Sequence, residues 1–134
     1  MKAFIKILII TVSLSFIFTN CTPEASSQSC QSFTGTPTES VSGPTNALVG
    51  ETVSLDVNFV VYNDCGFFNQ FYEEVIDGNK YITVNAIYEG CQCEDIALIK
   101  STVYSFSSST IGTYVLRFKV TNTSYIEHTI EVTD

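Results

Sequence analysis

Residues 52–61 have the sequence TVSLDVNFVV, and this stretch decides the fold. Every second residue from Val53 to Val61 is apolar, and the residues between them are polar up to Asn58. Because successive side chains of a strand point to opposite faces, this period of two predicts a β-strand with one buried face. Shorter runs with the same period occur at residues 82–88, 114–120 and 126–132.

Turn signals separate these periodic runs. The segment Asp77-Gly78-Asn79 has the chemistry of a tight hairpin turn, because Gly and Asn tolerate positive φ angles. No segment after Cys21 combines a helical period with capping residues. Short strands rich in Val, Ile, Tyr, Phe and Thr, separated by turns, predict an all-β sandwich over residues 44–134.

One of these strands carries a family resemblance. Residues 109–116, with the sequence STIGTYVL, resemble the corner that enters the penultimate strand of immunoglobulin-like domains. Gly112 occupies the bend, and Tyr114 occupies the position of the family's corner tyrosine. Leu116 stands where antibody-type domains have Cys, and the chain contains no Trp. The resemblance therefore implies an immunoglobulin-like antiparallel β-sandwich without the inter-sheet disulfide.

The amino-terminal segment has the features of an export signal. Lys2 and Lys6 precede an uncharged run of twelve residues from Ile7 to Phe18. This run has the length of a signal's hydrophobic region, whereas a bilayer span needs about 20 residues. We interpret residues 1–20 as a signal peptide, with a retained membrane helix as the alternative.

Phe18-Thr19-Asn20-Cys21 resembles the lipobox of bacterial lipoproteins, in the looser form typical of Bacteroidetes-like members. In that family the Cys thiol is diacylated and the Cys then becomes the new amino terminus. The resemblance implies a lipid at Cys21 that holds the exported chain on a bacterial membrane, in the periplasm or facing the cell surface. The alternative is a freely secreted chain in which Cys21 pairs with another thiol.

The chain has five cysteines, and four remain if Cys21 carries lipid: Cys30, Cys65, Cys91 and Cys93. An even number in an oxidising compartment predicts two disulfides. The strand directions bring the four thiols to one end of the sandwich, which we call the cysteine pole. Because a Cys91–Cys93 bridge would close a strained ring, Cys65 is expected to pair with one of these two and Cys30 with the other.

Residues 21–43 are rich in Ser, Thr, Pro, Gly and Gln, with few sizeable apolar side chains. Such a composition buries too little surface to offset its ordering entropy, so it predicts a disordered tether. After residue 20 the chain has four basic and fourteen acidic residues, a net charge of −10. This charge repels nucleic acid, which excludes a nucleic-acid partner.

No motif for catalysis or cofactor binding is present: there is no Ser/His/Asp set, paired-carboxylate motif, P-loop or dinucleotide-binding glycine pattern. His128 is in register with apolar strand residues, which favours a partly buried structural role. The alternatives are a soft metal site formed by Cys65, Cys91, Cys93 and a His, and a calcium site at Asp64, Glu94 and Asp95. Neither has the spacing of a known metal motif, so no metal is predicted.

Together these features predict a non-catalytic binding module with a protein or glycan partner. Loops on a rigid scaffold usually carry function, and disulfides that hold such loops lower the entropy cost of binding. The alternatives are an exported protease inhibitor of immunoglobulin-like fold and a passive structural component of the envelope. The predicted contact surface lies at the cysteine pole and comprises Phe67, Phe68, Glu94, Asp95 and Asn122 of the 122–124 turn, which also fits a glycosylation sequon.

Overall fold

The computed structural model describes residues 30–134. The predicted signal peptide, the lipid acceptor Cys21 and the first part of the predicted tether lie outside these residues. Within residues 30–134 there is no helix with the length and hydrophobicity that a membrane crossing requires. The strands are β1 (Gln31–Thr36), β2 (Thr38–Ser42), β3 (Asn46–Leu48), β4 (Thr52–Val61), β5 (Gly66–Ile76), β6 (Asn79–Glu89), β7 (Leu98–Ser107), β8 (Gly112–Lys119) and β9 (Tyr125–Thr133).

The strands form two sheets that pack face to face, so the predicted all-β sandwich is confirmed. One sheet has the order β1-β6-β8-β9-β3, with β5 also paired to β6, and the other has the order β2-β4-β7. The alternation predicted from residues 52–61 appears directly in the burial of β4, whose apolar side chains point into the core. The centre of that core is free of solvent contact at Leu55, Phe59, Ile82, Val84 and Phe118.

The tight hairpin predicted at Asp77-Gly78-Asn79 joins β5 to β6. Asp77 has a φ of 49° and Gly78 a φ of 77°. Positive φ at both central residues is what a two-residue hairpin turn requires, because it matches the right-handed twist of the flanking strands. The turn therefore sets the pairing register of the hairpin from Ile76↔Asn79 as far as Gln70↔Asn85.

The boundary predicted between tether and domain is wrong for residues 31–42, which form β1 and β2. β1 pairs with β6 over its whole length, and β2 pairs with β4. Where the two strands meet, Thr36 of β1 and Thr38 of β2 are almost fully buried, and the Thr36 hydroxyl donates a hydrogen bond to the carbonyl of Val60. Backbone pairing holds these polar strands, and composition alone does not reveal it.

The six-stranded sheet departs from a fully antiparallel arrangement, because β6 pairs with β8 and β3 with β9 in parallel. The chain crosses to the other sheet through β7 and then returns, so β8 runs in the same direction as β6. β1 pairs with residues 84–89 of β6, and β8 pairs with residues 80–82. The two strands therefore lie along different parts of β6. The sheet therefore forks where β1 and β8 separate.

The corner implied by the immunoglobulin-like resemblance is present. The Tyr114 hydroxyl donates to the carbonyl of Thr110 at 3.0 Å and accepts a hydrogen bond from Ser108 Oγ at 2.7 Å. The ring packs against Phe106 with centroids 5.3 Å apart. Gly112 has a φ of 153°, so the bend uses a backbone conformation that favours glycine.

Candidate functional site

Four cysteines converge at the predicted cysteine pole, and the predicted two disulfides are confirmed. Cys30 pairs with Cys91 and Cys65 pairs with Cys93, with Cα–Cα separations of 5.0 and 5.7 Å. The sequence left this connectivity open, and the three-dimensional positions of the thiols assign it. Two disulfides are compatible with an extracytoplasmic location, because oxidising compartments are where such bonds persist.

Residues 90–97 form a loop at the cysteine pole, which we call the pole loop. Asp64 connects it to the end of β4, since its Oδ1 accepts a hydrogen bond from the Glu94 amide at 2.8 Å. The Gly90 amide donates to the Cys30 carbonyl at 2.9 Å. The side chains of Glu94 and Asp95 are exposed. The loop is thus held by disulfides and backbone contacts while its carboxylates face solvent.

The cysteine pole also contains residues of the two metal sites that the sequence offers as alternatives. Ligand atoms of Asp64, Cys65 and Cys93 lie within 4.8 Å of one another, and this is a potential metal cluster within residues 30–134. Both sulfurs are joined in a disulfide, however, and a soft metal ion needs thiolates. Asp64 uses a carboxylate oxygen to hold the Glu94 amide. The arrangement is therefore explained by bracing of the pole loop.

Phe67 and Phe68 point to opposite faces of β5. Phe67 is 50% exposed on the outer face, with the Lys100 ammonium 5.4 Å from its ring centroid. Phe68 packs against the core, with its ring centroid 6.1 Å from that of Phe59 and 4.8 Å from that of Phe71. The prediction that Phe68 belongs to the contact surface is therefore wrong, whereas Phe67 is available for contact.

A bulge in β5 explains why Phe68 and Phe71 face the same side although they are three positions apart. The pairing register with β6 shifts between Phe68 and Gln70. One extra residue, Asn69, is accommodated there, and its side-chain amide donates to Asn85 Oδ1 at 3.0 Å. A bulge inverts the alternation that follows it, which is why a strict period of two fails in this strand.

Phe67 belongs to a larger apolar feature that local sequence pattern does not reveal. On the outer face of the six-stranded sheet, Ile87 of β6 pairs with Phe33 of β1 on one side and with Phe67 on the other. Phe33 is 55% exposed. We call these three side chains the apolar row. Phe33 lies in the segment whose composition predicts a tether, so composition gives no sign that it belongs to a contact surface.

Asn122 lines a separate pocket at the fork of the sheet. The cavity has a volume of about 390 Å³. We call it the fork pocket; its lining includes Gly35, Tyr62, Thr83, Lys119, Thr121 and Asn122. Asn122 thus lines the same pocket as Tyr62, which precedes Cys65 by three positions. The predicted contact residues are divided among the apolar row, the pole loop and the fork pocket.

No protein-family model, curated protein or solved structure matches this chain. Its function is therefore inferred from geometry. The single histidine of the sequence, His128, is half-buried, and its Nε2 lies 3.0 Å from the carbonyl oxygen of Pro44. This matches the structural role predicted for it.

A hydrogen-bonded network of titratable side chains joins β7 of one sheet to β5 and β6 of the other. The Tyr104 hydroxyl donates to Glu73 Oε1 at 2.9 Å, and Lys80 Nζ lies 2.8 Å from Glu73 Oε2. Burial, together with the hydrogen bond to the Glu73 carboxylate, raises the pKa of Tyr104 well above its ordinary value. Burial alone would raise the pKa of Glu73, but hydrogen bonds from Lys80 and Tyr104 outweigh it and the pKa is lowered.

Replacement of Tyr104 by Phe is expected to lower the free energy of unfolding at neutral pH by about 1.5 kcal/mol, the loss of a hydrogen bond to a charged group. Because the pKa of Tyr104 is raised on folding, its contribution is complete below the unfolded pKa of about 10 and is lost as the pH rises beyond it. The variant should therefore lose less stability than the wild type above about pH 10. Urea unfolding at several pH values measures both effects.

Tyr125→Phe is the matched control, since Tyr125 is partly exposed and lies outside this network. The lowered pKa of Glu73 has the opposite pH dependence: its contribution is present above the unfolded pKa and disappears as the pH falls through the folded value. An alkaline unfolding profile of Tyr104→Phe that parallels the wild-type profile would contradict the assigned network.

Proposed function

We propose that this protein is an exported, lipid-anchored and non-catalytic binding module. The observation that supports the proposal most strongly is the apolar row beside the disulfide-held cysteine pole, in which Phe33 and Phe67 are exposed and Ile87 is half-buried. Apolar groups gathered on an exposed face, with polar groups around them, are typical of contact sites. The partner is a protein or a glycan of the cell envelope or its surroundings.

The apolar row is suited to binding because it is rigid before a partner arrives. Its three side chains lie on paired strands, so backbone hydrogen bonds set their spacing. The Lys100 ammonium lies over the ring of Phe67 and restricts it further. A surface that is already ordered loses little conformational entropy on binding, so more of the contact free energy appears as affinity.

The proposed anchor determines where this surface faces. Residues 22–29 separate Cys21 from Cys30, a distance of at most ~30 Å when fully extended. The cysteine pole would then lie close to the membrane, which favours partners that are themselves near the bilayer. Acyl chains bind membranes by burial of methylene groups, so an acidic protein needs no basic patch for attachment.

Replacement of Phe67 by Ser tests the proposed surface. The full chain, immobilised through a carboxy-terminal tag, is used to capture partners from envelope extracts of the producing cell. We expect the most enriched partner to bind about thirty-fold more weakly to the variant, as for a central aromatic side chain worth ~2 kcal/mol. Surface plasmon resonance with the purified partner measures the change.

Ile99→Ser is the matched control, because Ile99 is an exposed apolar residue of the other sheet. It should capture the partner as the wild type does. Capture that survives in Phe67→Ser, or that is lost equally in both variants, would rule out the apolar row as the contact surface.

A further inference from the structure

The basic side chains of the described residues differ in whether they interact with a neighbour, and the fork pocket is lined by one that has no ion pair. Residues 30–134 contain four basic side chains, and three of them interact with a neighbour: Lys80 with Glu73, Arg117 with Glu127, and Lys100 with the ring of Phe67. Lys119 forms no ion pair within the described residues, and it lines the fork pocket. The basic residue that lacks an ion pair within residues 30–134 is thus one of the residues that line a pocket.

Other residues that line the pocket also have polar groups without a hydrogen-bond partner in the described part of the chain. The hydroxyls of Tyr62 and Thr83 and the side-chain amide of Asn122 have no hydrogen-bond partner among residues 30–134. Together they supply an aromatic face, two hydroxyls and an amide. The hydroxyls and the amide NH2 can donate hydrogen bonds, and the hydroxyl and amide oxygens can accept them. The volume of about 390 Å³ falls at the small end of the range for ligand sites.

The pocket is preformed by its surroundings. Gly35 lies close to Thr83 at the fork, since a Cβ atom at position 35 would lie only 3.2 Å from Thr83 Cγ2. The turn that carries Asn122 is held by Thr121, whose Oγ1 accepts hydrogen bonds from the amides of Thr123 and Ser124 at 3.2 and 3.0 Å. A ligand would therefore meet groups that are already in position.

We propose that the fork pocket binds the acidic unit of a saccharide. The ring of Tyr62 stacks on the apolar face of the sugar, Thr83 and Asn122 form hydrogen bonds with its hydroxyls, and Lys119 pairs with its carboxylate or sulfate group. An aromatic ring beside several groups that both donate and accept fits a sugar, which has an apolar face and a hydroxyl edge. This inference rests on the proposed function and names a ligand class for it.

The net negative charge of the protein favours a ligand that carries a single negative group. The described residues are strongly acidic overall, so a polyanion that extended over the surface would be repelled. A single acidic unit in contact with Lys119 is affected mainly by that ammonium, since charges beyond ~8 Å are screened at physiological salt. The expected ligand is therefore a largely neutral saccharide with one acidic sugar.

The test uses the full chain in detergent micelles and trisaccharides that end in glucuronate, galacturonate or 6-O-sulfated galactose. Each acidic probe is paired with its neutral counterpart, which ends in glucose or galactose. Titration followed by nuclear magnetic resonance should show at least one acidic probe that binds about tenfold more tightly than its counterpart, the effect of one charge-assisted hydrogen bond. The uronate and sulfate probes distinguish the two sources of negative charge.

Lys119→Met should abolish the preference for the acidic probe, and Lys119→Arg should retain it. Gly35→Val should remove binding of both probes, because a side chain at position 35 would crowd Thr83 where both residues line the pocket. Lys80→Met removes the same charge outside the pocket and should leave the preference unchanged. The proposal is overturned if no acidic probe is preferred, or if the preference survives in Lys119→Met.

The two proposals fail separately in these experiments. If no saccharide binds while partner capture still depends on Phe67, only the fork pocket is wrongly assigned. If the acidic probe binds as expected while Phe67→Ser captures the partner normally, the apolar row is wrongly assigned and the pocket stands.

Discussion

Replacement of both Cys30 and Cys91 by Ser is expected to lower the free energy of unfolding by about 4 kcal/mol. The bridge joins residues separated by 61 positions, so its loss frees a long loop in the unfolded chain. The Cys65–Cys93 bridge has a separation of 28, and the same chain-entropy relation gives about 3.5 kcal/mol for its removal. Since small domains are stable by only ~5–15 kcal/mol, either loss is a large fraction of the total.

Urea unfolding of each double Ser variant, followed by circular dichroism, measures this effect. The matched control is Cys21→Ser, which makes the same substitution outside both bridges and should keep the wild-type midpoint. In the untreated wild type, Cys30, Cys65, Cys91 and Cys93 should resist alkylation until a reductant is added. Stoichiometric labelling without reductant, or a loss below 1 kcal/mol in both double variants, would reject the disulfide framework.

Replacement of Cys21 by Ser is expected to abolish lipid attachment completely. Because the apolar run ends just before Cys21 and the remaining thiols form two pairs, Cys21 is the proposed acyl acceptor. Radiolabelled palmitate should enter the wild-type protein and be absent from the variant. The variant should also leave the membrane fraction, since acylation supplies the hydrophobic burial that holds the chain there.

The double variant Cys65→Ser/Cys93→Ser is the control for cysteine loss in general. It lacks two thiols of the folded domain but keeps Cys21, so it should incorporate palmitate as the wild type does. Label that persists in Cys21→Ser, or membrane attachment that survives without label, would favour a retained membrane helix or another anchor.

Local sequence pattern was sufficient for the sandwich and for its tightest turn. In β4 the apolar period of two coincides with burial at every second residue, because the neighbouring sheet covers one face only. At Asp77 and Gly78 the positive φ angles follow from residue chemistry alone. The corner of Tyr114 is equally local, since its hydrogen-bond partners lie four and six positions upstream.

The pattern failed where long-range backbone pairing replaces side-chain burial. β1 and β2 have the polar composition of a tether, but their amides and carbonyls pair with β6 and β4. No composition rule detects such pairing, because each partner strand is far away in the chain. The bulge at Asn69 is a smaller departure from the local pattern. Its shift in register turns Phe68 inward and leaves Phe67 exposed.

By itself, the sequence determined the all-β class, the β5–β6 hairpin turn and the convergence of four cysteines at one pole, because each depends on residue chemistry or on strand direction. Tertiary structure alone decided which cysteines pair, how Phe33 and Phe67 meet across Ile87, and how Tyr62, Lys119 and Asn122 come to line one cavity. Those features join segments that are distant in the chain. Their proximity depends on the order in which strands share the edges of β6, and that order is a property of the packed sheets and not of any local stretch.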